Sequence, residues 1–228
     1  MITIQKENQT VLCFPEPMVC ISSAILGGGI KDNVRTVANV TLSQDDYVPI
    51  DSMGDFCRDI ISSCGFSADE AVVLLTSVPQ KFLGQSDDGR CFATVGLGNA
   101  CPLIPDLVWN EEGNKFQRYI PGTINCVITL NESLSPSALV EGYGVAKMAI
   151  AEIIGAWSSY RGISACFGTP TDCTAILSPQ NGRQMKFAGL STKIGSDIVR
   201  LTREAVIDAI TYKYEDFRDY YADLGKSK

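Results

Sequence analysis

SPSALVEGYGVAKMAIAEIIGAW, residues 135–157, is the stretch from which the fold can be read. Ser135 followed by Pro136 is a helix start: a hydroxyl cap, then a proline whose missing N–H costs nothing in the first turn. Leu139, Tyr143, Ala146, Ile150, Ile153 and Trp157 then recur at steps of three and four, which puts one apolar face on a long helix. Short β-rich runs flank it at 123–130, 162–167 and 173–178. Strand, helix and strand in succession make the start of a layered α/β arrangement.

Working outward, further runs at 71–77 and 91–96 read as strands, and 34–42 (VRTVANVTL) alternates as a strand does. Residues 10–14 and 18–24 flank Pro15 and Pro17 as the arms of a β-hairpin would. A second long helix carries Ile194, Ile198, Leu201, Ala205 and Tyr212, and a third covers about 52–63. Ser67 with Glu70 has the spacing of a capping box ahead of the strand at 71. Asn110 to Asn114 (NEEGN) reads as a turn, and the polar, aromatic tail from Glu215 to Lys228 as a surface or subunit-contact helix. The expectation is one domain over residues 1–228, α/β or α+β, a layered fold with mixed sheet packed by a few long helices.

Composition narrows the function classes. The net charge is −7 and no run of lysine or arginine occurs, which argues against a nucleic-acid surface. No stretch approaches the roughly 20 apolar residues of a membrane span, and MITIQKENQT lacks the pattern of a signal peptide. Nine cysteines, mostly within apolar runs and without a CxxC pair, read as buried free thiols, so a cytoplasmic location is expected. Oligomeric state is open, with pairing of two copies as the general expectation.

There is no histidine. Ser-His-Asp triads, Cys-His dyads and His-bearing metal sites are therefore excluded, and proton transfer falls to carboxylate, lysine, tyrosine, cysteine or water. No metal site is expected, since neither paired Cys spacing nor a DxDxDG loop occurs. What stands out instead is one composition repeated at several strand ends: SSAILGGG (22–29), Asn39 within VANV, GLGNA (96–100), GTIN (122–125), GTPTD (168–172) and AGLSTKIG (188–195). Glycines let backbone amides approach a ligand, and small hydroxyl and amide side chains supply compact donors and acceptors. Each segment has a plain structural reading as well. GGG serves as a tight turn, GTIN as a bend into a strand, and Asp172 as a turn former.

In this order, together with LLTS (74–77) and a helical Lys147, these segments resemble the adenosylcobinamide amidohydrolase family of corrinoid salvage. The resemblance runs from about Cys20 to Ile210. It implies hydrolysis of the aminopropanol amide of adenosylcobinamide to adenosylcobyric acid, with the corrinoid as substrate and no resident cofactor. The chain departs from the family pattern at Ala146, where an acidic residue is expected, and at Cys166-Phe167, where Ala-Thr is expected. Two alternatives remain: a corrinoid-binding protein without catalysis, and an amidohydrolase or acyltransferase acting on another amide.

Amide hydrolysis needs an activated nucleophile, a stabilised oxyanion and a proton for the leaving amine. Asp172 is the leading general base or orienting group, and Ser22 and Ser23 are candidate nucleophiles that serve equally well as strand hydroxyls. Asn125 and Asn99 are candidate oxyanion or side-chain amide contacts. Gly27, Gly28 and Gly29 offer backbone amides. Asn39, Thr123, Thr169, Thr171 and Thr192 complete the expected binding set. Lys147 is either a stem packed at the helix edge or a partly buried ammonium paired with a carboxylate such as Asp172. Cys166 and Cys173 bracket GTPTD, but without histidine nothing obvious activates either thiol. Trp109 and Trp157 are aromatic candidates for a wide pocket, and helical spacing favours core packing for Trp157.

Overall fold

The computed structural model describes residues 1–43, 50–103 and 123–225. In chain order the elements are β1 (Ile2–Lys6), β2 (Gln9–Ser22), β3 (Gly29–Thr41), α1 (Met53–Ser63), β4 (Ala71–Thr76), β5 (Gly84–Gln85), β6 (Cys91–Val95), β7 (Ile124–Thr129), α2 (Pro136–Tyr160), β8 (Cys173–Pro179), α3 (Lys193–Thr211) and α4 (Phe217–Leu224). The eight strands form one mixed sheet in the order β4-β3-β2-β8-β7-β6-β5, with β1 paired to the first half of β2. Two pairs are parallel, β3 with β4 and β7 with β8, and each is joined by a helical crossover, α1 and α2 respectively.

The sheet curls. Asn39 of β3 touches Thr94 of β6 and Asn125 of β7, although β2 and β8 separate them in the strand order. The sheet is not closed into a barrel. Its concave face holds one apolar core, with Leu12, Phe14, Val37, Leu74, Phe92 and Val127 among its members. On one convex flank α1 lays Cys57 and Ile61 over Ala38, Val40 and Val73. On the other, α2 and α3 set Ile150, Ile153, Ile198 and Leu201 against Ile124, Ile128 and Ile176. Each fully buried aliphatic side chain here stabilises the fold by about 1.5–3 kcal/mol of transfer free energy.

Ser135 caps α2 as its sequence implies: its Oγ accepts from the Ala138 N–H at 3.3 Å, and Pro136 occupies the first turn. Helix α2 is buried on more of its circumference than the six-residue stripe suggests, because α3 and α4 cover it as well as the sheet. The tail forms α4. Its Phe217 is fully buried and packs on Tyr160, while Trp157 meets Tyr214 edge-on in the same core.

Three local expectations are corrected. Residues 10–14 and 18–22 belong to one 14-residue strand, Gln9–Ser22, rather than to a hairpin, and the chain passes Pro15 and Pro17 through register irregularities between Cys13 and Cys20. A proline cannot donate to a ladder, so a bulge is the means of keeping the strand continuous. Residues 162–167 are not a strand. Their amides bond elsewhere, Ile163 to the Ser158 carbonyl, Cys166 to the Ser158 hydroxyl and Phe167 to the Cys101 carbonyl. Ser67 makes no capping hydrogen bond, and Ala68–Glu70 is a single 3₁₀ turn. The NEEGN turn, Trp109 and Gly122 lie outside the described residues.

Candidate active site

Parallel pairing of β7 with β8 brings their N-terminal ends side by side, and antiparallel β2 and β6 end at the same edge. Four strand ends therefore deliver Ser23, Gly96, Thr123 and Asp172 to one place. Backbone bonds knit the edge together: Ser23 N–H to the Thr174 carbonyl at 3.2 Å, Gly96 N–H to the Thr123 carbonyl at 2.9 Å, and Cys101 N–H to the Gly168 carbonyl at 3.0 Å.

Asp172 anchors the Gly168–Asp172 loop. Its Oδ1 accepts from the Ile124 N–H at 2.9 Å and from the Thr169 hydroxyl at 2.5 Å, and its Oδ2 accepts from the Thr169 N–H at 2.9 Å. A side chain on Gly168 would put its Cβ 2.5 Å from Oδ2, so the loop closes this tightly only with glycine there. Next to the carboxylate, the Thr123 hydroxyl donates to the Thr171 carbonyl at 2.8 Å and lies 2.7 Å from the Thr171 hydroxyl. A carboxylate offers about four acceptor positions. Among the described residues, three are spent on protein donors, two on Oδ1 and one on Oδ2 of a half-buried group, which leaves one on Oδ2. Such a carboxylate holds a loop rigidly and can still accept one hydrogen bond from water or substrate.

Ser23 is exposed at the end of β2, its hydroxyl 3.5 Å from the Asp172 carbonyl oxygen and 3.4 Å from the Thr174 N–H. Helix α2 passes over this edge. A Cβ on Gly142 would lie 3.8 Å from Ile176, and one helical turn, about 5.4 Å, matches the two-residue step along β8 to Thr174. Burial pushes the Cys173 thiol up to about 11, and a hydrogen bond with Ser23 and the positive charge of Lys147 act in the opposite sense. Ser23, Cys173 and Asp172 thus share one neighbourhood, and the charge of Lys147 is felt at Cys173. The ion pair of Lys147 with Asp172 is not formed, and Lys147 has no ion-pair partner among the described residues. Cys173 is held almost wholly as the neutral thiol at neutral pH, unsuited to nucleophilic attack.

Of the other sequence candidates, Ser22 and the glycine turn adjoin this edge, and Asn39, Asn125 and Thr192 sit elsewhere. Ser22 is buried, its hydroxyl donating to the Gly27 carbonyl at 3.3 Å. Gly27 has φ +77°, and a Cβ there would meet the Ala71 carbonyl at 2.5 Å, while one on Gly28 would meet the Ala24 carbonyl at 2.3 Å. With Gly29 (φ +84°) these glycines form a tight turn from β2 into β3, set against β4 by the Leu26–Val73 bridge. Asn39 and Asn125 lie inside the curled sheet. The Asn125 amide donates to Asn39 Oδ1 at 2.7 Å and to the Leu75 carbonyl at 2.9 Å, and the Asn39 amide donates to the Thr94 hydroxyl at 3.1 Å. Asn99 is part-buried in the loop after β6, and its Oδ1 has no partner among the described residues. Thr192 caps α3, accepting from the Gly195 N–H at 2.9 Å. That cap belongs to the opposite end of the strands, where Lys193 and Asp197 line a cavity of about 370 Å³ with Asn131 and Glu132, just past the end of β7.

Sequence reading missed Thr94, Gln80 and Thr41, the other members of the buried polar network, and Cys101, which bonds the Gly168 loop. Thr94 carries a signal in hindsight, a hydroxyl within the apolar strand CFATV. Gln80 carries none, since its burial depends on which strands meet.

A mixed α/β protein with a histidine-free polar edge built on a strand-anchored aspartate defines the class. The chain belongs to the adenosylcobinamide amidohydrolase (CbiZ) family, whose family model matches residues 2–217. None of the curated proteins matches it. Among solved structures, the PH0078 protein from Pyrococcus horikoshii OT3 is 13% identical, over 91% of this chain and 77% of that one, with a TM-score of 0.38. That likeness is too distant to bear on the site.

Proposed function

We propose that this protein hydrolyses the aminopropanol amide of adenosylcobinamide, releasing aminopropanol and adenosylcobyric acid. The observation that carries this reading is the family match across almost the whole chain. In the reaction an oxygen of water ends on the acyl carbon, the amide C–N bond breaks, and the nitrogen takes up a proton. The corrinoid is substrate, and the chemistry requires no resident cofactor.

The assigned roles follow the geometry. Asp172 holds the 168–172 loop and accepts from the attacking water or the substrate at its one free position. The exposed Ser23 hydroxyl, rather than buried Ser22, is the candidate nucleophile or water-orienting group. Lys147 supplies the proton for the leaving amine. Thr123, Thr169 and Thr171 shape the rim, and Asn99, in the loop after β6, is a candidate substrate contact. Asn39, Asn125, Gly27 to Gly29 and Thr192 act through the fold. Nine unpaired cysteines fit a reducing, cytoplasmic setting, and no helix among the described residues is long and apolar enough to cross a membrane.

The test is incubation of purified protein with adenosylcobinamide, with aminopropanol followed by chromatography. Release that stops in Lys147→Met and falls sharply in Ser23→Ala supports the assignment. A folded protein that binds the corrinoid and releases no aminopropanol refutes the activity and leaves a binding role.

A further inference from the structure

Two polar atoms inside the curled sheet have no partner among the described residues: Thr10 Oγ1 and Asn125 Oδ1. Thr10 is 2% exposed and Asn125 1% exposed. Both line the same small cavity, between the concave faces of β2 and β3 on one side and β6 and β7 on the other. Leaving a buried oxygen unpaired costs about 1–3 kcal/mol. Two such atoms facing one space are unfavourable unless something joins them.

The cavity measures about 10 Å³. That is room for about one water molecule and for nothing larger. The chemistry of the lining matches one water. Asn125 Oδ1 is an acceptor and accepts a hydrogen bond from it. The Thr10 hydroxyl both donates and accepts, so it satisfies the water in either sense. Asn39 lines the cavity too, and its Oδ1, already accepting from Asn125, keeps a second acceptor position. Two or three polar partners are what a buried water normally finds. Leu12, Val37, Phe92 and Val127 close the remaining directions with apolar surface.

We propose that Thr10 and Asn125 bind a single internal water, which completes the polar network joining the two halves of the curled sheet. Thr10 stands opposite Asn39 in the β2–β3 ladder, and Asn125 stands opposite Thr94 in the β6–β7 ladder. The water therefore links the same two strand pairs that the Asn39–Asn125 and Asn39–Thr94 bonds already join. It sits one residue from Ile124, whose amide holds Asp172. The inference does not depend on the reaction proposed above, since it concerns occupancy of the cavity alone.

Oxygen-17 relaxation dispersion on the native protein, paired with a high-resolution crystal structure, decides it. The expected result is one long-lived internal water, with a density peak about 2.8 Å from both Thr10 Oγ1 and Asn125 Oδ1. Thr10→Val keeps the shape and removes the hydroxyl, so the long-lived water is lost, and Thr10→Ser restores it. A dry cavity in the native protein overturns the proposal, as does a direct Thr10–Asn125 hydrogen bond or a water that persists unchanged in Thr10→Val. Should Thr10→Val fail to fold, the native-protein measurement alone decides.

Discussion

Asp172 reaches from the start of β8 to the start of β7, where its Oδ1 accepts the Ile124 amide N–H at 2.9 Å. One carboxylate thereby fixes both the 168–172 loop and its distance from the neighbouring strand. The position is structural and chemical at once, and the two contributions separate by substitution.

Asp172→Ala strands the Ile124 and Thr169 amides and removes the last acceptor at the rim. The expected cost is about 2–4 kcal/mol in urea unfolding, since each unpaired donor costs about 1–3 kcal/mol. Asp172→Asn keeps the shape and one oxygen but turns an NH₂ toward donors. Turnover is expected to fall at least ~100-fold, the low end for loss of a general base or its equivalent, with a smaller loss of stability than in Asp172→Ala. Near-native release of aminopropanol by Asp172→Asn would leave the residue a loop anchor only.

Within the curled sheet, Asn125→Leu leaves Asn39 Oδ1 and the Leu75 carbonyl without their donor. The expected destabilisation is about 2–4 kcal/mol. Asn39→Leu has a comparable effect through the Thr94 hydroxyl. Because the two side chains bond each other, the losses are non-additive, with a coupling of about 1–3 kcal/mol in a double-mutant cycle by denaturant unfolding. Additive losses would show that the two asparagines act separately.

The limits of sequence reading show in these same residues. Helix α2 and strands β4, β6, β7 and β8 were legible because each carries its own periodicity or β-rich run. The loop at 168–172 was legible as a site candidate because a glycine and a carboxylate recur there with threonines. The curl of the sheet was not legible, since it depends on which strands pair across long separations. Asn39 and Asn125 therefore read as ligand contacts when they bond each other in the interior. The turn at Gly27 to Gly29 has a packing reason of its own. Its glycines answer the close carbonyls of Ala71 and Ala24, which sequence spacing does not reveal. Ala146, where the resemblance leads one to expect an acidic residue, is a fully buried position of α2, packed in the core that the helix shares with α3 and the sheet.

Arg90 is the hub of an ion cluster at the far end of β6, paired with Asp88 at 2.9 Å and Asp197 at 2.8 Å, while Arg200 bridges the same two carboxylates. Partial burial tends to raise both carboxylates, and the arginine hydrogen bonds outweigh it, so Asp88 and Asp197 titrate below the usual aspartate range. A depressed folded value gives stability that is present in full above the unfolded value, about 3.9, and is lost as pH falls below it. Arg90→Gln should therefore flatten the fall in stability below about pH 4 and cost about 1 kcal/mol at neutral pH, less at high salt. Thermal melts across that range, with and without added salt, check both. An unchanged acid limb would mean that other carboxylates govern acid unfolding.

The thiols give a final prediction. Six of the nine cysteines are buried, and three, Cys13, Cys64 and Cys101, are partly exposed. Burial pushes Cys20 up to about 12 and Cys57 and Cys173 up to about 11, so these carry almost no thiolate at pH 8 and offer no access to a reagent. Cys13 and Cys101 are raised as well, chiefly by burial, and should react more slowly than a free thiol in a peptide. A disulfide-exchange reagent at pH 8 should therefore modify at most three thiols in the folded protein and all nine in urea, with mass spectrometry placing the early labels on Cys13, Cys64 and Cys101. Early modification of Cys173 would reverse its reading as an inert core thiol and reopen it as a nucleophile beside Ser23. Its absence among the early labels would leave the exposed Ser23 hydroxyl, or a water held at Asp172 Oδ2, to attack the amide.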